Sequence, residues 1–241
     1  MIRKGLMVLV LTTLFSVTGC ARELLSYKSG DMKITVRHGR EWIHDFSAMV
    51  KNPPQIAIWI TDESGNYITT VFTTRKIATE GWIFNKGNRR KEALPYWSYS
   101  RGVRYDDGLF LPTKKHPVTD GVTGATPKDD FEILVDPIDL PERFYIYAEI
   151  NHSTDFNDAW PKSARKGDGN YTGGEEGSGQ PALIYRALVD TVDTGTGTAL
   201  YTLNLAGHSS PDGSTGDLYT DMDGFTTALE IVDSITVEIM P

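Results

Sequence analysis

Apolar and polar residues alternate along most of this chain in short runs, with a period of two rather than at helical spacing. Eight runs of six to nine residues combine this alternation with β-branched and aromatic side chains, a pattern typical of strands in a sheet. The predicted strands are Met32–His38, Ile56–Thr61, Tyr67–Thr74, Phe131–Asp136, Phe144–Ile150, Ala182–Asp190, Leu200–Gly207 and Ile235–Met240. No amphipathic pattern of helical period extends beyond about ten residues.

Turn signals between these runs indicate how the strands connect. Asp62–Asn66, with the sequence DESGN, has the acidic, glycine and asparagine chemistry of a hairpin turn, so the runs on either side of it can pair. Short strands with such turns and no long helix predict an all-β fold, an immunoglobulin-like two-sheet β-sandwich with long irregular loops. We expect residues 32–241 to form a single domain, because no Pro/Gly/Ser-rich linker divides them.

Two long gaps, Arg75–Asp130 and Asn151–Pro181, interrupt the strand pattern. Loops of such length are uncommon in compact domains unless they carry function. The second gap contains Asp168–Gly179, an acidic and glycine-rich stretch that we expect to be flexible. The first gap is aromatic and basic, so the sequence favours it as the place of a functional site.

The first twenty residues have a basic start, an apolar run and then small residues before Cys20. This order predicts a secretory signal peptide over residues 1–19, too short to span a bilayer as a mature helix. Val17–Cys20 resembles the lipobox of bacterial lipoproteins, in which the cysteine receives a diacylglycerol and the chain is cut just before it. We therefore expect lipidation at Cys20, a lipid-anchored tether over residues 20–31, and an extracytoplasmic location in the periplasm or outer membrane.

Composition narrows the possible chemistry and partners. Cys20 is the one cysteine of the chain, which excludes an intramolecular disulfide framework and CxxC sites. The full chain has 24 basic and 32 acidic residues, a net charge of −8. Cleavage before Cys20 would remove Arg3 and Lys4 but no acidic residue, so the mature chain would have 22 basic residues and a net charge of −10. This charge would repel a phosphate backbone, so we expect no nucleic-acid partner.

Several common types of site lack support in the sequence. The five histidines have neither HxH nor HExxH spacing, so the pattern indicates no zinc site. Asp221–Gly224, with the sequence DMDG, resembles the start of a calcium loop but lacks the later ligands. No GxSxG nucleophile motif occurs. Paired carboxylates for glycoside hydrolysis stay open in so acidic a chain, although no feature selects a pair.

One stretch in the first gap, Asp120–Thr126 with the sequence DGVTGAT, is composed of small residues. Gly121 and Gly124 permit positive φ and close backbone approach, and Ala125 adds almost no bulk. Another macromolecule could therefore reach the Thr126 hydroxyl. The alternative interpretation is an ordinary turn that leads into the strand at Phe131.

The residues Asp120, Thr123, Gly124, Ala125 and Thr126 fit the pattern Asp-x-x-Ser/Thr-Gly-Ala-Thr. This pattern resembles the acceptor motif of bacterial flavin transferases, which join FMN to a threonine hydroxyl through a phosphoester bond. Such motifs occur in flavin-bearing subunits of the sodium-pumping NADH:quinone oxidoreductase and of the Rnf complex. The resemblance implies that Thr126 carries covalent FMN, that the other four residues form the recognition sequence, and that a flavin transferase and membrane redox proteins are partners.

The chain around the motif does not look like the usual FMN-binding domain. Residues 32–190 resemble instead a bacterial family of periplasmic lipoproteins of unassigned function, in which IAIWITDESGNYITT, PYW and TGAT segments follow one another in this order. The later segment Gly207–Asp217, GHSSPDGSTGD, departs from that likeness. The resemblance therefore implies a lipid-anchored β-sandwich that acts as a redox carrier rather than as an enzyme by itself.

Two sets of side chains in the first gap are expected to surround such a flavin. The aromatic residues expected to stack on the ring are Trp82, Trp97 and Tyr99. The basic residues expected to neutralise the phosphate are Arg101, Arg104, Lys114 and Lys115. The alternative is a flavin-free ligand-binding or structural β-sandwich lipoprotein that contacts a carbohydrate or a protein, with Trp82, Trp97 and Trp160 as sugar-stacking platforms.

Overall fold

The computed structural model describes residues 32–47, 50–82, 89–136, 139–192 and 197–240. The predicted signal peptide, Cys20 and the tether lie outside these ranges. Within them, no helix is both long enough and apolar enough to cross a membrane.

The described ranges contain two main β-sheets, one small hairpin and two short α-helices. The strands are β1 (Met32–His38), β2 (His44–Ser47), β3 (Val50–Asn52), β4 (Gln55–Thr61), β5 (Tyr67–Thr74), β6 (Val122–Gly124), β7 (Phe131–Val135), β8 (Arg143–Asn151), β9 (Leu183–Asp190), β10 (Ala199–Thr202), β11 (Asn204–His208) and β12 (Val232–Ile239). The helices are α1 (Arg75–Thr79), α2 (Pro95–Ser100) and a 3-10 helix at Thr227–Glu230.

The two main sheets contain four and six strands. The four-stranded sheet has the order β10-β12-β1-β7, and all of its pairs are antiparallel. The six-stranded sheet has the order β11-β9-β8-β4-β5-β6, and it is antiparallel except for the pair β5-β6, which is parallel. β2 and β3 form a separate hairpin. The short strand β6, which contains part of the DGVTGAT segment, therefore forms one edge of the larger sheet.

The main hydrophobic core lies between the two sheets. Alternate residues of β1 and β12 point into it from one side, and alternate residues of β4 and β8 point into it from the other. Ile34 and Val237 come from the smaller sheet, and Ile58 and Ile146 from the larger one, and all four are fully buried. Burial of such a side chain contributes about 1.5–3 kcal/mol, so this core is the main stabilising element of the two-sheet sandwich.

A second core lies on the opposite face of the six-stranded sheet. Trp59 and Tyr147 of that sheet pack there with Ile77 of α1 and with Leu94 and Trp97 at α2. β4 is consequently buried on both faces, which explains its nearly continuous apolar sequence. The two helices form a partial third layer over the outer face of the larger sheet.

The mostly-β two-sheet architecture confirms the predicted class, and seven of the eight predicted runs each coincide with one strand. The run Leu200–Gly207 is the exception, because it divides at Leu203 into β10 and β11, which belong to different sheets. Leu203 is buried, and its backbone N–H donates to Ile235 O at 2.9 Å. Alternation predicts which faces of a strand are buried, but it does not reveal that a chain passes from one sheet to the other.

The two long gaps also contain more structure than we expected. α1, α2 and β6 all lie within Arg75–Asp130, and the Asp168–Gly179 stretch is not simply an exposed flexible loop. Thr172 and Ser178 are buried, and the Ser178 N–H donates to Thr172 O at 2.9 Å. The N–H groups of Thr154 and Asp155 donate to Gly177 O and Ser178 O, both at 2.8 Å, and these bonds hold the second half of the stretch against the segment that follows β8.

Candidate functional site

The DGVTGAT segment begins at an anchor on β5. The Asp120 carboxylate accepts hydrogen bonds from the Tyr67 hydroxyl and from the Thr70 N–H, the latter at 3.3 Å. The Thr69 hydroxyl donates to Asp120 O at 3.1 Å. Asp120 thus fixes the start of the segment, and β6 follows it along the sheet edge.

The segment is held again after Thr126. The Trp42 indole N–H donates to Pro127 O at 3.0 Å. Asp130 accepts the His38 backbone N–H at 2.9 Å and contacts His38 Nδ1 at 2.5 Å, and these bonds lower the pKa of Asp130. Hydrogen bonds therefore attach both ends of the motif to the sandwich.

Between these anchors, the motif residues differ in accessibility. Thr123 and Ala125 are exposed, whereas Thr126 is half-buried. The Thr126 hydroxyl donates to Pro54 O at 2.7 Å. The proposed acceptor oxygen therefore lies at the sandwich surface in a hydrogen bond, rather than at the tip of a free loop.

The two glycines of the motif do not have the expected backbone conformation, since neither has a positive φ. A Cβ on Gly121 would lie 2.6 Å from Thr70 O, so at this position the expected close backbone approach is present. A Cβ on Gly124 would meet only Phe72 Cε2, at 4.0 Å. Only Gly121 is thus required by the local geometry.

A cleft of about 600 Å³ opens beside the end of β6. The last three motif residues, Gly124, Ala125 and Thr126, form one side of it. The other lining residues are Pro53, Gln55, Thr74, Arg75, Lys76, Thr79, Gly81, Lys114 and Lys128. We call this the cationic cleft, because four of the described lining side chains are basic and none of them is acidic.

The positive charge of the cationic cleft is not neutralised by nearby carboxylates. Within the described ranges, no Asp or Glu forms an ion pair with Arg75, Lys76, Lys114 or Lys128. Partial burial, followed by the nearby charge of Arg90, lowers the pKa of Lys76. Four basic groups without acidic partners, in a chain of net charge −8, favour the binding of an anion.

The side chains expected to surround a flavin are only partly in place. Trp97 is fully buried, and its indole N–H donates to Thr70 Oγ1 at 3.2 Å, so the prediction that it stacks on a bound ring is wrong. Tyr99 stacks on Phe110 with ring centroids 4.3 Å apart. Trp82 lies beside the cleft residue Gly81, but Trp82 is not part of the lining.

Of the four basic residues expected at the phosphate, Lys114 alone lines the cationic cleft. Arg104 and Lys115 line a neighbouring pocket in the 104–116 loop, and the Arg101 guanidinium lies 5.2 Å from the centroid of the Trp97 ring. These three residues are therefore not placed to neutralise a phosphate at Thr126.

Sequence reasoning missed three of the basic residues at the cleft. Lys128 follows the motif by two positions, so its proximity was visible in the sequence. Arg75 and Lys76 directly follow β5, and they reach the motif because β6 pairs with β5 in parallel. That pairing has no signal in the sequence, since β5 and β6 are separated by almost fifty residues.

The described residues contain no group of three or more His, Cys, Asp or Glu side chains arranged to hold a metal ion. Comparison with known proteins found no matching family model, no matching curated protein and no matching solved structure. Because no relative indicates a function, the function is inferred from the geometry of the site.

Proposed function

We propose that this protein carries FMN joined covalently to Thr126 and acts as a lipid-anchored electron-transfer protein outside the cytoplasm. The observation that carries the proposal is the cationic cleft, which Thr126 itself lines together with four basic side chains. A threonine joined to FMN would place a negatively charged phosphodiester at this point. Basic groups within reach of it are the partners that a phosphate prefers.

The residues present fit the phosphate better than they fit the ring. A volume of about 600 Å³ lies within the range of small-molecule and cofactor sites. Among the described residues, the cleft lining has no aromatic side chain, so this part of the lining offers a ring Pro53, Thr79 and Gly81 rather than a tryptophan. In this arrangement the chain contributes attachment and charge, and the flavin contributes the redox chemistry.

The hydrogen bond of Thr126 affects how this residue could be modified. Esterification replaces the hydroxyl proton, so the bond from Thr126 to Pro54 O is lost in the modified protein. A neutral hydrogen bond of this kind contributes about 0.5–1.5 kcal/mol, which a binding partner can readily offset. The transferase must therefore turn the Thr126 side chain away from Pro54 before it can use the oxygen.

The decisive experiment expresses the full chain in a host that has a flavin transferase in the same compartment. Wild-type protein should be yellow and give a fluorescent band after denaturation, with FMN mapped by peptide mass to Thr126. Thr126→Val keeps nearly the same shape without the oxygen, so it should lose covalent flavin entirely. Thr123→Val is the matched control, and it should reduce labelling without moving it to another residue.

FMN mapped to Thr123, or undiminished labelling of Thr126→Val, would refute the assignment. A colourless wild-type protein beside an active transferase would support the flavin-free binding protein instead.

The membrane anchor is tested separately. Serine has no thiol for lipid transfer, so Cys20→Ser should leave the precursor unlipidated and move the protein from the membrane fraction to the soluble fraction. Unchanged membrane association without an acyl mass on the N-terminal peptide would contradict the lipoprotein assignment. This test does not depend on the flavin.

We also propose that the sandwich is of the immunoglobulin-like kind. Two mainly antiparallel sheets that share one core support this class, as does the passage of the chain from one sheet to the other between β10 and β11. An experimental structure with a different strand order in the two sheets would contradict it.

A further inference from the structure

A second cleft, of about 380 Å³, lies on the outer face of the six-stranded sheet. Its floor is formed by Trp59 of β4 and Tyr147 of β8, and Tyr96 and Tyr99 of α2 form one side. The 214–217 segment closes another side, where the Tyr99 hydroxyl donates to Ser214 O at 2.7 Å. We call it the aromatic cleft.

The aromatic floor is fixed by ring packing. Trp59 stacks on Tyr147 with ring centroids 5.2 Å apart and an interplanar angle of 14°, and Tyr96 lies 5.8 Å from each of them. Trp59 is fully buried, and its indole N–H has no hydrogen-bond partner in the described structure. Buried N–H groups usually have an acceptor, and water or a ligand often supplies it. The cleft thus combines a rigid apolar surface with an unsatisfied donor beneath it.

The rim of the aromatic cleft is polar. Asp217 is exposed and is the one charged residue among the described residues of the lining. Ser100 adds a hydroxyl group, whereas the Thr61 hydroxyl is buried and donates to Asp62 O at 2.9 Å. The Tyr96 hydroxyl is protonated at neutral pH, as in any tyrosine, and burial together with the neighbouring Tyr147 raises its pKa further, to about 12. The rim therefore offers both acceptors and donors to a ligand that has several hydroxyls.

From this lining we infer that the aromatic cleft binds a short neutral saccharide. Tyr96 and Tyr99 are partly exposed, unlike the buried Trp59 and Tyr147, so their rings are the surfaces that suit the C–H faces of a sugar. The Asp217 carboxylate and the Ser100 hydroxyl suit its O–H groups. Pockets of a few hundred Å³ with an apolar surface and a few polar groups are typical binding sites. This inference concerns a different site from Thr126 and does not depend on a flavin.

The surroundings disfavour charged ligands. Asp217 would repel an anion at the rim. Arg186 lies outside the lining, but its guanidinium is 5.7 Å from the Tyr145 ring centroid and interacts with Tyr147, so its charge disfavours an organic cation in the cleft. In addition, Trp59 and Tyr147 direct their faces at each other rather than into an open aromatic cage, which cation binding would require.

The test is ligand-observed saturation-transfer NMR on the full chain, with cellobiose, maltose and N,N′-diacetylchitobiose as probes at millimolar concentration. At least one probe should bind and shift the Trp59 indole resonance. Asp217→Asn should weaken binding about tenfold, the usual effect of losing a hydrogen bond to a charged group. Ser100→Tyr should abolish binding by filling the cleft. Asp223→Asn, which removes the same charge at an exposed position outside the cleft, should change nothing.

Each other outcome overturns the inference. No saturation transfer from any of the three probes would exclude a neutral saccharide. Binding that neither Asp217→Asn nor Ser100→Tyr changes would place the ligand elsewhere, and tetramethylammonium binding with the same dependence on Asp217 would show an organic cation site. If a variant does not fold, the Trp59 indole shift of the wild-type protein still decides where the probe binds.

Discussion

The cationic cleft and the aromatic cleft lie at opposite ends of β4. Gln55 lines the first and Thr61 the second, six residues further along, which corresponds to about 20 Å of extended strand. Loop residues and the ends of long basic side chains form much of the cationic cleft. Strand and helix side chains that also belong to the second core form the aromatic cleft.

The residues that form the two clefts differ in how deeply they are buried. Arg75, Lys114 and Lys128 are exposed, so changing their charge removes little packing. Trp59 and Tyr147 are buried and support both the cleft and the sheet. We therefore expect substitutions at the cationic cleft to change binding without unfolding the protein, whereas substitutions in the aromatic floor change stability first.

The largest effect on stability is expected from Trp59→Ala. It removes a fully buried side chain from the second core, and the lost burial together with the new cavity should lower the free energy of unfolding by roughly 3–5 kcal/mol. Lys128→Ala at the other cleft should stay within about 0.5 kcal/mol. Urea unfolding of both variants measures the contrast. A loss below about 1 kcal/mol for Trp59→Ala would remove the distinction between the clefts.

Glu149, which is fully buried behind α2, gives a pH-dependent effect of comparable size. Its carboxylate accepts the backbone N–H groups of Trp97 at 2.7 Å and of Tyr96 at 3.2 Å, and so holds the helix that carries the aromatic side wall. Burial raises its pKa from 4.5 to about 8. Between pH 4.5 and about 8, Glu149 is therefore protonated in the folded protein but ionised in the unfolded chain. Because the unfolded state binds fewer protons, this group lowers the free energy of unfolding as the pH rises through this range.

Glu149→Gln keeps an acceptor oxygen and removes the titration. Relative to wild type, the variant should become progressively more stable as the pH rises through this window, by up to about 1.4 kcal/mol for each pH unit. Urea unfolding at the two ends of the window measures the change. Parallel pH dependence of the two proteins would show that Glu149 has an ordinary pKa.

A smaller effect is expected at the edge strand beside the cationic cleft. Gly121→Ala places a Cβ 2.6 Å from Thr70 O, so the strand must shift, at a cost of roughly 1–3 kcal/mol. Gly124→Ala meets no atom closer than 4.0 Å and should change stability by less than about 0.5 kcal/mol. Thermal unfolding compares the two. Equal losses would mean that β6 does not pair with β5 as described.

The two clefts also differ in how much of their structure the sequence could predict. The β-branched and aromatic run Ile56–Thr61 was enough to place Trp59 on a strand, and because side chains alternate along a strand, Trp59 points to the face opposite Ile58. The turn at Asp62–Asn66 likewise predicted the pairing of β4 with β5, which the structure confirms. Local patterns of this kind determine most of the sandwich.

Features that depend on distant contacts could not be predicted. The burial of Trp97 follows from the docking of a six-residue helix on the sheet, and the grouping of Arg75 with Lys128 follows from a parallel edge strand. The motif itself was visible in the sequence, but the hydrogen bond from Thr126 to Pro54 was not. Whether Thr126 accepts a flavin stays a prediction.

The smallest expected effect concerns the charge of the cationic cleft itself. In a Thr126→Val background, where no ester can form, the cleft should still bind free FMN through its phosphate more tightly than riboflavin, which lacks the phosphate. Lys128→Gln should weaken FMN binding about threefold to tenfold, in line with the loss of one partly solvated charge contact of about 1 kcal/mol. Riboflavin binding should not change. Quenching of flavin fluorescence measures both affinities.

Lys115→Gln is the matched control, because it removes the same charge from an exposed lysine that lines the neighbouring loop pocket and not this cleft. Added salt should weaken FMN binding to the wild-type cleft and have little effect on riboflavin, because exposed charges are screened over about 10 Å at 0.1 M salt. Equal affinities for FMN and riboflavin, or the same loss in Lys115→Gln as in Lys128→Gln, would show that net surface charge, and not this arrangement of residues, attracts the anion.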